Sequence, residues 1–174
     1  MMLVTFTAGG VQHWGTTAPG GVLALSDGFP QLRTLRSVIE AGAIPQVLAA
    51  AQGRPASHPD GSFTLDPPLP DPEKIICVGV TFPDRNAEYK DGQDAPPNMS
   101  LFIRVPRSFT GHDQPLIRPP ESPQLDYEGE IAVVIGKPGR RIPEAVALSH
   151  IAALTLCNEG TIRDWVRHAK FNVT

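Results

Sequence analysis

The segment Asp126-Tyr127-Glu128-Gly129-Glu130-Ile131-Ala132-Val133-Val134-Ile135-Gly136 limits the fold more than any other part of the chain. Its β-branched run predicts a strand from Tyr127 to Ile135, with Gly136-Lys137-Pro138-Gly139 turning out of it. Side chains alternate along a strand, so Glu128 and Glu130 share a face with Ala132 and Val134. Ile131, Val133 and Ile135 line the other face, which predicts burial on both sides. Two neighbouring carboxylates in such a place are costly unless something neutralises them. A divalent cation does so, and an all-oxygen ligand set favours Mg²⁺ or Mn²⁺, with Ca²⁺ also compatible, over zinc. A solvated strand start carrying two ordinary surface acids fits the segment equally well.

A third acid stands at Asn158-Glu159-Gly160, between an apolar strand (Ile151 to Cys157) and a helix, where a side chain leaves a sheet edge into a cleft. Alone, Glu159 reads as an ordinary helix-start acid. With Glu128 and Glu130 it completes a facial set of three carboxylates that leaves metal positions open for substrate and water.

Elsewhere the pattern is of short strands and few helices. Residues 3–8 and 22–26 predict strands separated by turns. Residues 30–41 predict a helix, with Leu32, Leu35, Val38 and Ile39 on one face and Gly42 as its stop. A second apolar stretch runs from Ile44 to Ala51. Six prolines between residues 54 and 72 (55, 59, 67, 68, 70 and 72) predict an extended linker, because proline fixes its own φ and lacks an amide donor. The expected organisation is a small α+β domain at 1–53, a linker at 54–72, and a β-rich domain from 73 to 174, with the boundary near residue 70. In the last part, residues 74–80 and 100–105 predict strands, and 84–98 a loop or short helix. Pro143 opens a short helix at its first position. Thr161 caps a final helix whose Ile162, Trp165 and Ala169 share a face.

Hydrophobic residues make up 41% of the 174, enough for a real core, and the net charge is −3 with both signs interspersed. No basic stretch suggests a nucleic-acid partner, and no apolar run suggests a membrane span. The first residues lack a secretory pattern, and Cys77 and Cys157 are too far apart in sequence for a zinc motif. The expectation is a cytoplasmic protein with reduced thiols.

Taken in order, Lys74-Ile75-Ile76-Cys77-Val78-Gly79, Leu101-Phe102-Ile103-Arg104, Leu125 to Glu130 with Val133 to Gly136, and Asn158-Glu159-Gly160-Thr161-Ile162-Arg163-Asp164 resemble the fumarylacetoacetate hydrolase superfamily. The resemblance covers roughly residues 70–174, and the part before it resembles the small variable domain of bacterial members. It implies a mixed β-sandwich roll preceded by a small α+β domain, so an α+β, β-rich fold. It implies a metal-dependent enzyme acting on 2-oxo or enol acids by C–C hydrolysis, decarboxylation or isomerisation through an enolate, as in aromatic compound catabolism. Glu128 and Glu130 match the first two metal ligands. Glu159 matches the third, which is usually Asp. Arg163 matches an arginine near the substrate, suited to a carboxylate; a salt bridge to Asp164, Glu159 or another acid is the other reading of it. The resemblance also implies a homodimer in the full-length form.

Many members carry Gly-x-Asn-Tyr-x-x-His-x-x-Glu, whose His–Glu pair activates water. Here Thr81 replaces the asparagine and Arg85 the histidine, while Glu88 is kept. Arginine stays protonated and cannot be a general base. The resemblance therefore makes Glu88 the proton carrier beside a cationic Arg85, and lowers hydrolysis against proton transfer or decarboxylation. Members also continue past the equivalent of Thr174 into a lysine-bearing segment and more strands. The chain thus reads as C-terminally truncated, and the alternative expectation is an inactive relative or a metal-dependent small-acid binding module.

Overall fold

The computed structural model describes residues 1–79 and 98–168, with side chains to residue 165. It is strand-rich, and every strand pair among the described residues is antiparallel. No βαβ unit with a parallel sheet occurs among them.

The N-terminal part is a five-stranded sheet covered by two short helices. Strands β1 (Leu3–Ala8), β2 (Val11–Ala18) and β3 (Gly21–Ala24) form a meander. Strand β2 lies where the sequence suggested only turns. Its pattern is masked by Gly15, which is required there because a Cβ would stand 1.9 Å from the Leu23 carbonyl oxygen. Helix α1 (Leu35–Glu40) starts five residues later than expected, because Thr34 and Ser37 form a reciprocal capping box that fixes the start. Leu32 is still buried, and its carbonyl accepts the Trp14 Nε1–H at 2.7 Å. Helix α2 (Ile44–Ala51) follows, and Leu35, Val38, Val47 and Ala51 pack against Trp14, Leu23 and Leu25 as the core.

The proline-rich stretch does more than link. It supplies β4 (His58–Pro59), which pairs with β3, and β5 (Thr64–Leu65), which pairs with β1, so both edges of the sheet are closed by it. Thr5 Oγ1 donates to the Pro68 carbonyl at 2.7 Å, and Arg36 holds both the Asp71 carbonyl and the Glu73 carboxylate. The chain is thereby fixed to this unit up to the start of the next strand.

The remaining strands form three antiparallel pairs: β6 (Ile75–Gly79) with β7 (Ser100–Arg104), β8 (Leu125–Asp126) with β11 (Thr161–Ile162), and β9 (Gly129–Ile135) with β10 (Ile151–Asn158). Four expectations change. The strand expected from Tyr127 to Ile135 starts at Gly129, two residues late, and β8 ends before it at Asp126. Burial is one-sided: Ile131 is 69% and Leu156 81% exposed, and Val133, Ile135 and Leu154 are exposed with them. Thr161 lies in β11 rather than capping, and helix α4 (Arg163–His168) starts at Arg163, while helix α3 (Glu144–Ala147) has Pro143 just before its first residue. Ala169 and most of the 84–98 segment lie outside the described residues. Gly136 lets β9 leave the sheet closely packed, since a Cβ there would meet the Ala152 Cβ at 2.5 Å. Among the described residues no helix is long and apolar enough to cross a membrane.

Candidate metal centre

Strand register builds the site. Pairing of β9 with β10 sets Glu130 opposite Cys157 and Gly129 opposite Asn158. Just beyond, the Glu159 N–H donates to the Glu128 carbonyl at 2.8 Å, and the Glu128 N–H donates to Asn158 Oδ1 at 3.1 Å. The β8–β11 pair closes the same end, with the Arg163 N–H donating to the Gln124 carbonyl. A buried serine ties this end to α4: Ser122 Oγ, with no exposure, donates to Asp164 Oδ1 at 2.6 Å and accepts the Gln124 N–H. The two halves of the carboxylate set are thus locked across strands rather than carried on free loops.

The result is that carboxylate oxygens of Glu128, Glu130 and Glu159, all half-buried, lie within 4.8 Å of one another. Oxygens at adjacent positions of one Mg²⁺, each at ~2.1 Å, stand ~3.0 Å apart, and those of a Ca²⁺ at ~2.4 Å stand ~3.4 Å apart. Rotation of the flexible glutamate side chains, closing the set by up to roughly 1–2 Å, brings the three oxygens to either ion. The donor set is oxygen-only and anionic, as hard cations require.

Charge around the set is uneven. Arg163 donates from Nε to Asp126 Oδ2 at 2.9 Å and reaches Glu128 Oε1 with Nη1 at 2.8 Å. Arg104, on β7, stands 2.6 Å from Glu159 Oε1, with both side chains only 15% exposed. That approach does not have hydrogen-bond geometry, and Glu159 Oε1 is buried without a directional donor. Among the described residues Glu130 faces no cation. Its carboxyl is pushed above the ordinary glutamate range by burial, then by the charges of Glu128 and Glu159. The Asp126 carboxyl is held below its ordinary range by the Arg163 hydrogen bond and then by the Tyr127 N–H. Both thiols border the set. Cys77 is pushed up to about 11, mainly by burial and then by the Glu159 charge, and Cys157 is raised by burial and by Glu130 and Glu159. Both thiols therefore stay protonated at neutral pH.

Of the residues singled out in the sequence, the structure brings Glu128, Glu130, Glu159 and Arg163 to one place. Glu88 and Arg85 lie outside the described residues. Arg163 is paired with Asp126 and Glu128, which is the salt-bridge reading with acids other than the Asp164 and Glu159 named for it. Arg104, in the segment Leu101-Phe102-Ile103-Arg104, joins them, and the sequence pattern assigns it no role. Its signal was its position two residues after Phe102, on the inward face of a strand next to the site.

The sequence profile described as fumarylacetoacetate (FAA) hydrolase C-terminal matches residues 74–174. The chain belongs to the fumarylacetoacetate hydrolase family. Within the family, it is 32% identical over 151 residues to the human mitochondrial oxaloacetate tautomerase, covering 84% of this chain and 47% of that protein. It is 41% identical over 111 residues to an oxaloacetate tautomerase of Bacillus subtilis, covering 62% of this chain and 36% of that one. The chain thus spans about half the length, or less, of these curated relatives. Among solved family structures, the fumarylacetoacetate hydrolase of the psychrophile Exiguobacterium antarcticum superposes with a TM-score of 0.72 at 30% identity, covering 94% of this chain and 57% of that one. Maleylpyruvate hydrolase from Sphingobium sp. SYK-6, solved with manganese (II) and pyruvate, shares the fold at a TM-score of 0.72 and 19% identity, covering 94% and 60%.

Proposed function

We propose that this protein is a divalent-metal-dependent enzyme acting on a small 2-oxo acid and its enol, and that its reaction moves a proton between carbon and oxygen. The observation that carries the reading is the convergence of three carboxylates across two strand pairs, one of them with no cationic partner among the described residues. Glu128, Glu130 and Glu159 would hold Mg²⁺ or Mn²⁺. When bound, the ion supplies Lewis acidity for negative charge developing on substrate oxygens.

The chain's own groups do the rest. Arg163, at the start of α4 and beside Glu128, presents a planar fork suited to a substrate carboxylate. Asp126 holds the Nε edge of that fork and Glu128 meets its Nη1, which fixes the guanidinium beside the carboxylate set. Glu88 carries the proton to or from carbon, and Arg85 adds fixed positive charge rather than basicity. With Arg85 at the motif position that holds histidine in many members, proton transfer is favoured over hydrolysis. The oxaloacetate tautomerases among the relatives support a 2-oxo dicarboxylate as substrate, the class with a second carboxylate for an arginine to hold.

The test is decay of enol absorbance for oxaloacetate, and for a panel of 2-oxo acids, with and without chelator. It is run on the 174-residue chain and on a polypeptide of its relatives' full length containing it. Chelator-sensitive acceleration in the longer form, with little in the short chain, is expected. Acceleration that survives chelation in the longer form contradicts the reading.

A further inference from the structure

We infer that Arg104 is a positioning residue with two alternating partners: it neutralises Glu159 in the ion-free site, and turns to the substrate's carboxylate once a cation has taken Glu159. The inference rests on the cation site proposed above and adds a second anion-holding group to it.

The geometry sets Arg104 apart from Arg163. Arg163 is bound by a directional hydrogen bond to Asp126, an acid outside the carboxylate triad, so its place survives any change at Glu128. Arg104 has Glu159 as its only acid partner among the described residues. Their 2.6 Å approach lacks hydrogen-bond geometry and leaves Glu159 Oε1 without a directional donor. A cation arriving at Glu159 competes with Arg104 for the same carboxylate oxygen. The guanidinium then has a place to stay. It lies 5.2 Å from the centroid of the Phe102 ring, two residues back on the same strand face, and ring and cation attract. With only 15% exposure, a guanidinium released from Glu159 is poorly hydrated and needs another anion. A carboxylate of a small dicarboxylic acid held beside the ion supplies it.

Charge gives the inference a signature that a structural role lacks. A cation arriving at Glu159 is opposed by Arg104, so removing the positive charge tightens cation binding. The same removal weakens binding of the anion that follows. The experiment uses the 174-residue chain, with Mn²⁺ binding read by loss of the free-ion paramagnetic resonance signal, and oxalate binding to the Mn²⁺-loaded protein read by calorimetry. Arg104→Met is expected to bind Mn²⁺ about tenfold more tightly, equivalent to about 1.4 kcal/mol, and to bind oxalate about tenfold more weakly. Arg104→Lys, which keeps the charge, is expected to stay near the parent in both. Circular dichroism checks the fold, and Arg104→Gln serves if Arg104→Met does not fold. A folded neutral variant with unchanged or weaker Mn²⁺ affinity, or with unchanged oxalate affinity, overturns the inference while leaving the site intact. Failure of both neutral variants to fold overturns it in favour of a structural role. Absence of Mn²⁺ binding by the parent chain overturns this inference and the proposed site together.

Discussion

Replacing Glu130 by Gln separates repulsion within the ion-free site from its capacity for a cation. The substitution keeps shape and removes one of three negative charges lying within 4.8 Å of one another. At that separation Coulomb's law gives about 0.9 kcal/mol per like-charge pair in bulk water and about 3.5 kcal/mol at an effective dielectric of about 20. The half-buried site lies between these limits, and arginines already offset Glu128 and Glu159 at 2.8 and 2.6 Å. Net relief of about 1–2 kcal/mol is therefore expected, which for a chain of this length raises the melting temperature by roughly 2–8 °C. The same variant should lose most of the stabilisation that millimolar Mn²⁺ gives the parent, since a neutral amide is a poor ligand for a hard cation. Thermal melts with chelator and with Mn²⁺ measure both effects. A Glu130→Gln chain that melts lower than the parent in chelator, or that keeps the full Mn²⁺ shift, refutes the reasoning.

Other predictions follow from single contacts. Asp126 has a depressed carboxyl, so its stabilisation is complete above the ordinary aspartate range and is lost as pH falls through the folded-state value; Asp126→Asn should flatten the acid limb of a melting-temperature profile against pH. Glu130 works in the opposite sense: its raised carboxyl makes the ion-free chain gain stability as pH falls through that raised range, a gain that Glu130→Gln abolishes in the same profile. Ser122→Ala leaves Asp164 Oδ1 and the Gln124 N–H without their buried hydroxyl partner and should cost about 1–3 kcal/mol in chemical denaturation. Gly136→Ala drives a methyl into the Ala152 Cβ and should cost about 1–3 kcal/mol in the same assay.

The strand-rich fold class and the convergence of the three acids were legible in the sequence; several element boundaries were not. Alternation along Glu128-Gly129-Glu130 put two acids on one face, and the place of Glu159 after an apolar strand put it at a sheet end; the register of β9 against β10 brings all three together. The arginines were harder. Arg163 was visible as a residue but its partners were not, because Asp126 lies 37 positions away and meets it only through the β8–β11 pair. Strand β2 was missed because Gly15 and its polar neighbours break the alternation that a strand usually shows, while the cross-strand approach that demands the glycine cannot be read locally. The proline-rich stretch was read as a tether because prolines cannot donate to a ladder. Its pairing to both sheet edges uses only two residues at each, in positions where few donors are needed. Burial of both faces of β9 was predicted from Ile131, Val133 and Ile135, and in the chain described these form an exposed apolar face with Leu154 and Leu156.

The central claim is that Glu128, Glu130 and Glu159 form one divalent-cation site. A Mn²⁺ titration of the 174-residue chain, followed by the free-ion paramagnetic resonance signal and repeated on Glu128→Gln, Glu130→Gln and Glu159→Gln, tests it most directly. The account predicts one saturable ion per chain, displaced by Mg²⁺ and lost or strongly weakened in each variant. Binding that is absent in the parent, or that persists unchanged through all three substitutions, contradicts it.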